Sequence, residues 1–189
     1  MKYFFIIITS FIINMDLIAQ STTSGKGFGS VDLKLSTVQG SSAFMIGARG
    51  GWNVSQSFSV GLAGCGAIID DPILNIKNNR EYYIRLGYGG LYVESKFYSY
   101  SFIHFMFSAI LGRGYYGHSE VKSDYEIDWT KHWIFTFEPE VFVMFDVSDV
   151  FKIGFGSTYR YIPGVDLTEF KNTHLNALSV ILTFRFVVI

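Results

Sequence analysis

Between Trp133 and Tyr161 the chain alternates between two kinds of side chain on both sides of a short polar turn, Asp146-Val-Ser-Asp149. In the second arm Phe151, Ile153, Phe155, Tyr159 and Tyr161 share one face, while Lys152, Gly154, Gly156, Thr158 and Arg160 share the other. Successive side chains of a strand point to opposite faces, so this pattern predicts a β-hairpin. One of its faces is bulky and aromatic. The other is small or charged.

The rest of the chain from Phe28 reads as repeats of that unit. Val31, Leu33 and Leu35 alternate with Asp32, Lys34 and Ser36 in a strand over Phe28–Val38. Ser42–Trp52 sets Phe44, Ile46, Ala48 and Trp52 against Met45, Gly47, Arg49 and Gly51, and Phe58–Ile68 sets Phe58, Val60 and Leu62 against Ser59, Gly61, Ala63 and Cys65. In Tyr82–Val93 the bulky set is Tyr82, Ile84, Leu86, Tyr88 and Tyr92, facing away from Arg85, Gly87 and Gly89. Ser101–Gly114 opposes Ile103, Phe105, Phe107, Ala109 and Leu111 to His104, Met106, Ser108 and Gly112. The last strand, Leu175–Val188, opposes Leu178, Val180, Leu182, Phe184 and Phe186 to Ser179, Thr183 and Arg185. With the two arms of the hairpin the prediction is eight strands, several longer than the usual five or six residues of globular sheets.

The connections have a pattern of their own. Asn53–Ser57, Glu94–Ser99 and Asp146–Asp149 are short and polar, whereas Asp70–Asn79, Tyr115–Lys131 and Ile162–His174 are long. Short turns at one end and long loops at the other are the arrangement of an up-and-down outer-membrane barrel. An even strand count puts both ends of the barrel on the short-turn, periplasmic side.

Alternation alone leaves two barrels open, one apolar outward in a membrane and one apolar inward around a ligand. The minor face favours the first, because it is crowded with glycine at 47, 51, 61, 87, 89, 112, 154 and 156. Glycine weakens a strand unless space is tight, and the interior of an eight-stranded barrel is only just wide enough for side chains. Composition points the same way. Charged residues are 16% and aromatic residues 18% of the chain, whereas a soluble surface carries roughly 25–35% charge.

The charged residues of the minor face then meet in the lumen. Asp32, Glu138 and Glu140 are expected to pair with Lys34, Arg49, Arg85, Lys152, Arg160 and Arg185 in an ion network that plugs the barrel, since isolated buried charges are very costly. Aromatic residues near strand ends, Trp52, Phe58, Tyr92, Tyr98, Tyr115, Trp129, Trp133 and Tyr161, suit the two membrane interfaces as a girdle.

Ahead of the strands, Lys2, the apolar stretch Tyr3–Ile13 and Leu17-Ile18-Ala19 before Gln20 have the parts of a secretory signal. The expected organisation is a cleaved signal peptide over residues 1–19, an extension over 20–27 and the barrel over 28–189. A net charge of -1 gives no sign of a nucleic-acid partner, and the single Cys65 excludes an intrachain disulfide.

Three stretches carry a family resemblance: Gly50-Gly-Trp-Asn-Val-Ser-Gln-Ser-Phe-Ser-Val-Gly61, Phe137-Glu-Pro-Glu-Val141 and Gly156-Ser-Thr-Tyr-Arg-Tyr161. In them the chain resembles the small outer-membrane β-barrel domain family of Gram-negative bacteria, related in architecture to eight-stranded porin-like surface proteins. The resemblance covers roughly Phe28 to Ile189. It implies an outer-membrane location, insertion by the barrel-assembly machinery, outer-membrane lipid as surroundings, and no assigned reaction.

Candidate chemistry is sparse. Some eight-stranded barrels modify lipids and need a nucleophile beside a base, but Ser108 lies four residues, roughly 13 Å along a strand, from His104. His104 reads as a polar lumen residue and Cys65 as a small one. His118, Glu120, Asp124, Asp128, His132 and His174 follow no metal-ligand spacing, so neither metal nor cofactor is expected. The leading expectation is a non-enzymatic barrel whose long loops make contacts with extracellular or envelope proteins. The alternatives are an outer-membrane lipid-modifying enzyme and a soluble periplasmic lipocalin-like barrel around an apolar ligand.

Overall fold

Gln39 and Gly40 both take positive φ, 52° and 83°. Two such residues in a row make a primed turn whose twist matches that of paired strands, and they fold β1 (Gly27–Val38) directly onto β2 (Ser41–Asn53). The computed structural model of the chain describes residues 26–68, 73–75, 80–100, 102–120, 130–164 and 175–188. The signal-peptide expectation lies outside them.

The remaining elements are β3 (Phe58–Ile68), the three-residue β4 (Ile73–Asn75), β5 (Arg80–Tyr100), β6 (Ile103–Glu120), β7 (Thr130–Asp146), β8 (Phe151–Arg160) and β9 (Ala177–Val187). Every pairing is antiparallel, in the order β3-β2-β1-β9-β8-β7-β6-β5, and a β3–β5 pairing closes the ring. Eight long strands thus form a barrel without free edges, while β4 pairs only with the first residues of β5. Turns 54–57 and 147–150 and the β5–β6 turn lie at one end with residues 26 and 188, here termed the turn end. The opposite end is the loop end.

The apolar face points outward. Leu62, Leu91 and Leu178 are 65%, 63% and 70% exposed, and Phe155 is 58% exposed, whereas Lys34, Glu138 and Arg160 are no more than 1% exposed. A soluble lipocalin-like barrel would bury the first set and solvate the second. That alternative is therefore corrected: water cannot be the solvent of a wall built this way.

Two expectations along β5 are also corrected. The segment Glu94–Ser99 is strand and not turn, for β5 continues to Tyr100 and absorbs an irregularity between Lys96 and Tyr98. Its faces are reversed as well. Ile84, Leu86, Tyr88 and Tyr92 are buried in the lumen, while Arg85, Leu91 and Val93 face outward together with Gly87 and Gly89. The long connection expected from Tyr115 is shorter, since β6 runs on to Glu120 and β7 begins at Thr130.

Packing around the ring explains the inward glycines. Gly90 and Gly112 are direct partners on β5 and β6, and a Cβ on either would strike the backbone of the other strand. Gly112→Val is expected to lower the stability of the detergent-folded barrel by about 1–3 kcal/mol. The check is the shift of its urea unfolding midpoint.

Candidate functional site

The centre of the lumen is built by alternate positions of β1, β2 and β7. Asp32 and Lys34 on β1, Arg49 on β2, and Glu138 and Glu140 on β7 all point inward and are 6% exposed or less. Lys34 Nζ donates to Glu138 at 2.9 Å and to Glu140 at 3.2 Å. Arg49 donates to Glu140 Oε2 at 2.6 Å and, through Nη2, lies 2.7 Å from Asp32 Oδ2. Five charges from three strands thus form one connected cluster.

Neutral donors complete it. Tyr88 and Thr158 hydroxyls each donate to Glu138 at 2.7 Å, Ser108 to Glu140 at 2.7 Å, and Thr183 to Asp32 at 2.6 Å. The Arg49 guanidinium also lies against Tyr92 and Phe142, 4.9 and 5.2 Å from their ring centroids. Buried ions tolerate desolvation only when partners of this kind occupy their remaining lone pairs and protons.

Toward the turn end stands a second pair, Arg185 Nη1 donating to Glu94 Oε2 at 2.6 Å, with Tyr92 also donating to Glu94 at 2.5 Å. Arg185 lies 3.8 Å from the Phe28 ring centroid. At the mouth Lys152 donates to Asp146 at 2.7 Å, and His104 Nδ1 lies 3.4 Å from the same carboxylate. His104, Lys152, Glu94 and Arg185 line a vestibule of about 190 Å³ there. Toward the loop end the lumen is apolar instead, filled by Val38, Met45, Leu86, Tyr116, Ile134 and Leu175. Arg160 is fully buried beside that cluster and donates to the carbonyls of Leu175 and Thr37 at 2.9 and 2.6 Å.

Of the nine charges expected in the lumen, eight point into it. Arg85 does not. It faces outward because β5 is reversed, and it lines a groove on the outer wall. The same reversal moves Tyr92 from the expected girdle into the lumen, where it is 1% exposed. Trp52 lies exposed and Phe58 half-buried near the turn end, with Tyr115, Trp133 and Tyr161 exposed near the loop end. Tyr98 stands in β5 toward the turn end, and Trp129 lies outside the described residues.

Sequence reasoning missed Glu94, which it placed in a turn. Its even-numbered spacing from Tyr88 and Tyr92 was the available signal. With Glu94 counted and Arg85 removed, the buried ions among the described residues are Asp32, Glu94, Glu138 and Glu140 against Lys34, Arg49, Arg160 and Arg185. Acids and bases balance. Among the described residues no group of three His, Cys, Asp or Glu side chains is placed to hold a metal ion.

No protein-family model matches the chain, and no curated protein matches it. Solved structures do. It is similar to Neisserial surface protein A, NspA, with a TM-score of 0.57 at 13% identity over 86% of this chain and 95% of that one. The N-terminal β-barrel domain of Pseudomonas aeruginosa OprF gives 0.55 at 10% identity, over 85% and 96%. Ail, the attachment invasion locus protein of Yersinia pestis, gives 0.50 at 10% identity, over 87% and 99%. The likeness is one of fold, that of the small eight-stranded outer-membrane β-barrels of Gram-negative bacteria.

Proposed function

We propose that this chain is a non-enzymatic barrel of the Gram-negative outer membrane, exported with residues 1–19 removed, closed along its lumen, and displaying its long connections on the outer face. The observation that carries the reading is the division of the wall into an apolar outer surface and a lumen whose buried ions are paired with one another or, for Arg160, held by backbone carbonyls. A wall exposing Leu62, Leu91 and Leu178 requires lipid around it. A lumen that balances four buried acids with four buried bases along its described length and holds an apolar cluster toward the loop end is suited to rigidity and not to conduction.

Orientation follows from the connections. Turns 54–57 and 147–150 are short enough for the periplasmic side, which leaves the segments between β3 and β5, β6 and β7, and β8 and β9 outside the cell. Contact with extracellular or envelope proteins is assigned to those segments, because loops on a rigid scaffold carry recognition while the scaffold fixes their positions.

The test is reconstitution of the folded protein in planar lipid bilayers, with gel mobility read before and after boiling. The expected result is a heat-dependent shift without stepwise conductance. Regular current steps from heat-shifting protein would overturn the closed lumen, and a soluble protein without a shift would overturn the barrel itself.

A further inference from the structure

Near the loop end the registers of β5, β6 and β7 stack three outward rows: Arg85–Gly117–Lys131, Gly87–Tyr115–Trp133 and Gly89–Arg113–Phe135. In the first row a glycine separates two cations across two strand spacings, roughly 10 Å. Arg85 and Lys131 therefore flank a buried glycine, with no side chain standing between them. In the second row Tyr115 leans over Gly87, where an added Cβ would meet its ring at 3.6 Å. Arg113 reaches up from the third row, its guanidinium carbon 6.0 Å from the centroid of Trp133.

These side chains enclose a groove of about 340 Å³ lined by Arg85, Tyr115, Lys131 and Trp133. The row beneath, Leu91–Leu111–Phe137, is apolar throughout and exposed. Among the described strand residues, the outward-facing cations are Arg85, Arg113 and Lys131, all on this side of the barrel.

A cationic slot standing directly above a greasy wall is complementary to an anion that is joined to hydrocarbon. Guanidinium offers a fork of donors and ammonium a point charge, and both suit phosphate. The long stem of Arg113 lets its head rise to the same level while its methylenes stay on apolar surface. Tyr115 and Trp133 mark that level as the membrane interface.

We propose that this groove binds the phosphorylated headgroup of an outer-leaflet lipid, with phosphate between Arg85 and Lys131 and an acyl chain descending across the Leu91–Leu111–Phe137 row. The assignment rests on the membrane-barrel reading and adds a lipid partner to one side of it.

Native mass spectrometry of the detergent-folded full-length mature protein tests the assignment, using a bis-phosphorylated diglucosamine lipid, its dephosphorylated counterpart and inorganic phosphate alone. The expected result is retention of the phosphorylated lipid only, with affinity lowered about tenfold or more in an Arg85→Ala/Lys131→Ala double variant. Gly117→Val, which fills the space between the cations and removes no charge, is expected to give a similar loss. Equal binding of the two lipids, retention of phosphate alone, or unchanged affinity in both variants would overturn the site. Heat-dependent gel mobility of the same samples separates the two readings. A preserved shift without lipid selectivity sinks the lipid site alone, and no shift in the unmodified protein sinks the barrel beneath it.

Discussion

Replacing Glu140 by alanine is expected to destabilise the barrel by about 3–5 kcal/mol, the range found when one partner of a buried ion pair is removed. Glu140 is 1% exposed and accepts from Lys34, Arg49 and Ser108 at 3.2, 2.6 and 2.7 Å. Its loss leaves Arg49 with Asp32 alone and Lys34 with Glu138 alone, and across the described lumen three buried acids against four buried bases. Glu140→Gln keeps the shape and an acceptor but not the charge, so its loss should be smaller. Lys152→Ala removes a pair at the mouth whose side chains are 18% and 32% exposed, and should stay within about 1 kcal/mol. Urea unfolding of the three variants, refolded into the same detergent, gives the order. A Glu140→Ala variant as stable as the unmodified protein would remove the ion cluster from the account of stability.

The second large effect is expected on the outside. Leu91 is 63% exposed and stands midway along β5 between Arg85 and Phe97, with Leu62 and Leu111 as its neighbours across the sheet. Leu91→Arg puts a cation near the middle of the apolar band, where it should lower folding stability in lipid vesicles by about 2–4 kcal/mol. Leu91→Ala should have a much smaller effect, because lipid fills the space a truncated side chain leaves. The sign carries the argument. On a protein bathed in water, arginine at a position this exposed is harmless or improves solubility, so a stability unchanged by Leu91→Arg in vesicles would contradict a lipid-facing wall.

Strands whose two faces differ in bulk were legible from the chain. In the middle of β1, β8 and β9 the alternation separates charged or small residues from most of the aliphatic and aromatic ones, while the inner face of β7 carries Ile134, Phe142 and Met144 beside Glu138 and Glu140. β5 was not legible, for a physical reason. Its outer face carries Gly87 and Gly89, which have no side chain to declare a side, and its inner face carries Tyr88 and Tyr92, whose rings look lipid-facing in a hydropathy pattern. Their hydroxyls decide the matter, because Tyr88 donates to Glu138 on β7, a contact that only the closed ring creates, and Tyr92 donates to Glu94 two residues along the same inner face. Glu94 was hidden by its polar neighbours Ser95 and Lys96, which resemble a turn until a partner strand pairs with them. The outer groove was invisible for the same reason. It depends on Gly117 falling between Arg85 and Lys131, and register across three strands is a property of the assembled sheet.

The orientation of β5 decides which face of the wall meets lipid. After Cys65→Ala, single cysteines placed at each position from Leu86 to Val93 except Gly90 can carry a nitroxide, and the barrel can be refolded into vesicles for collision measurements with oxygen and a water-soluble nickel complex. The expected result is an alternation in which positions 87, 89, 91 and 93 collide with lipid-dissolved oxygen and positions 86, 88 and 92 collide with neither reagent. The opposite alternation, or nickel collisions along both sets, would contradict a barrel that turns its apolar wall to lipid and its paired charges inward.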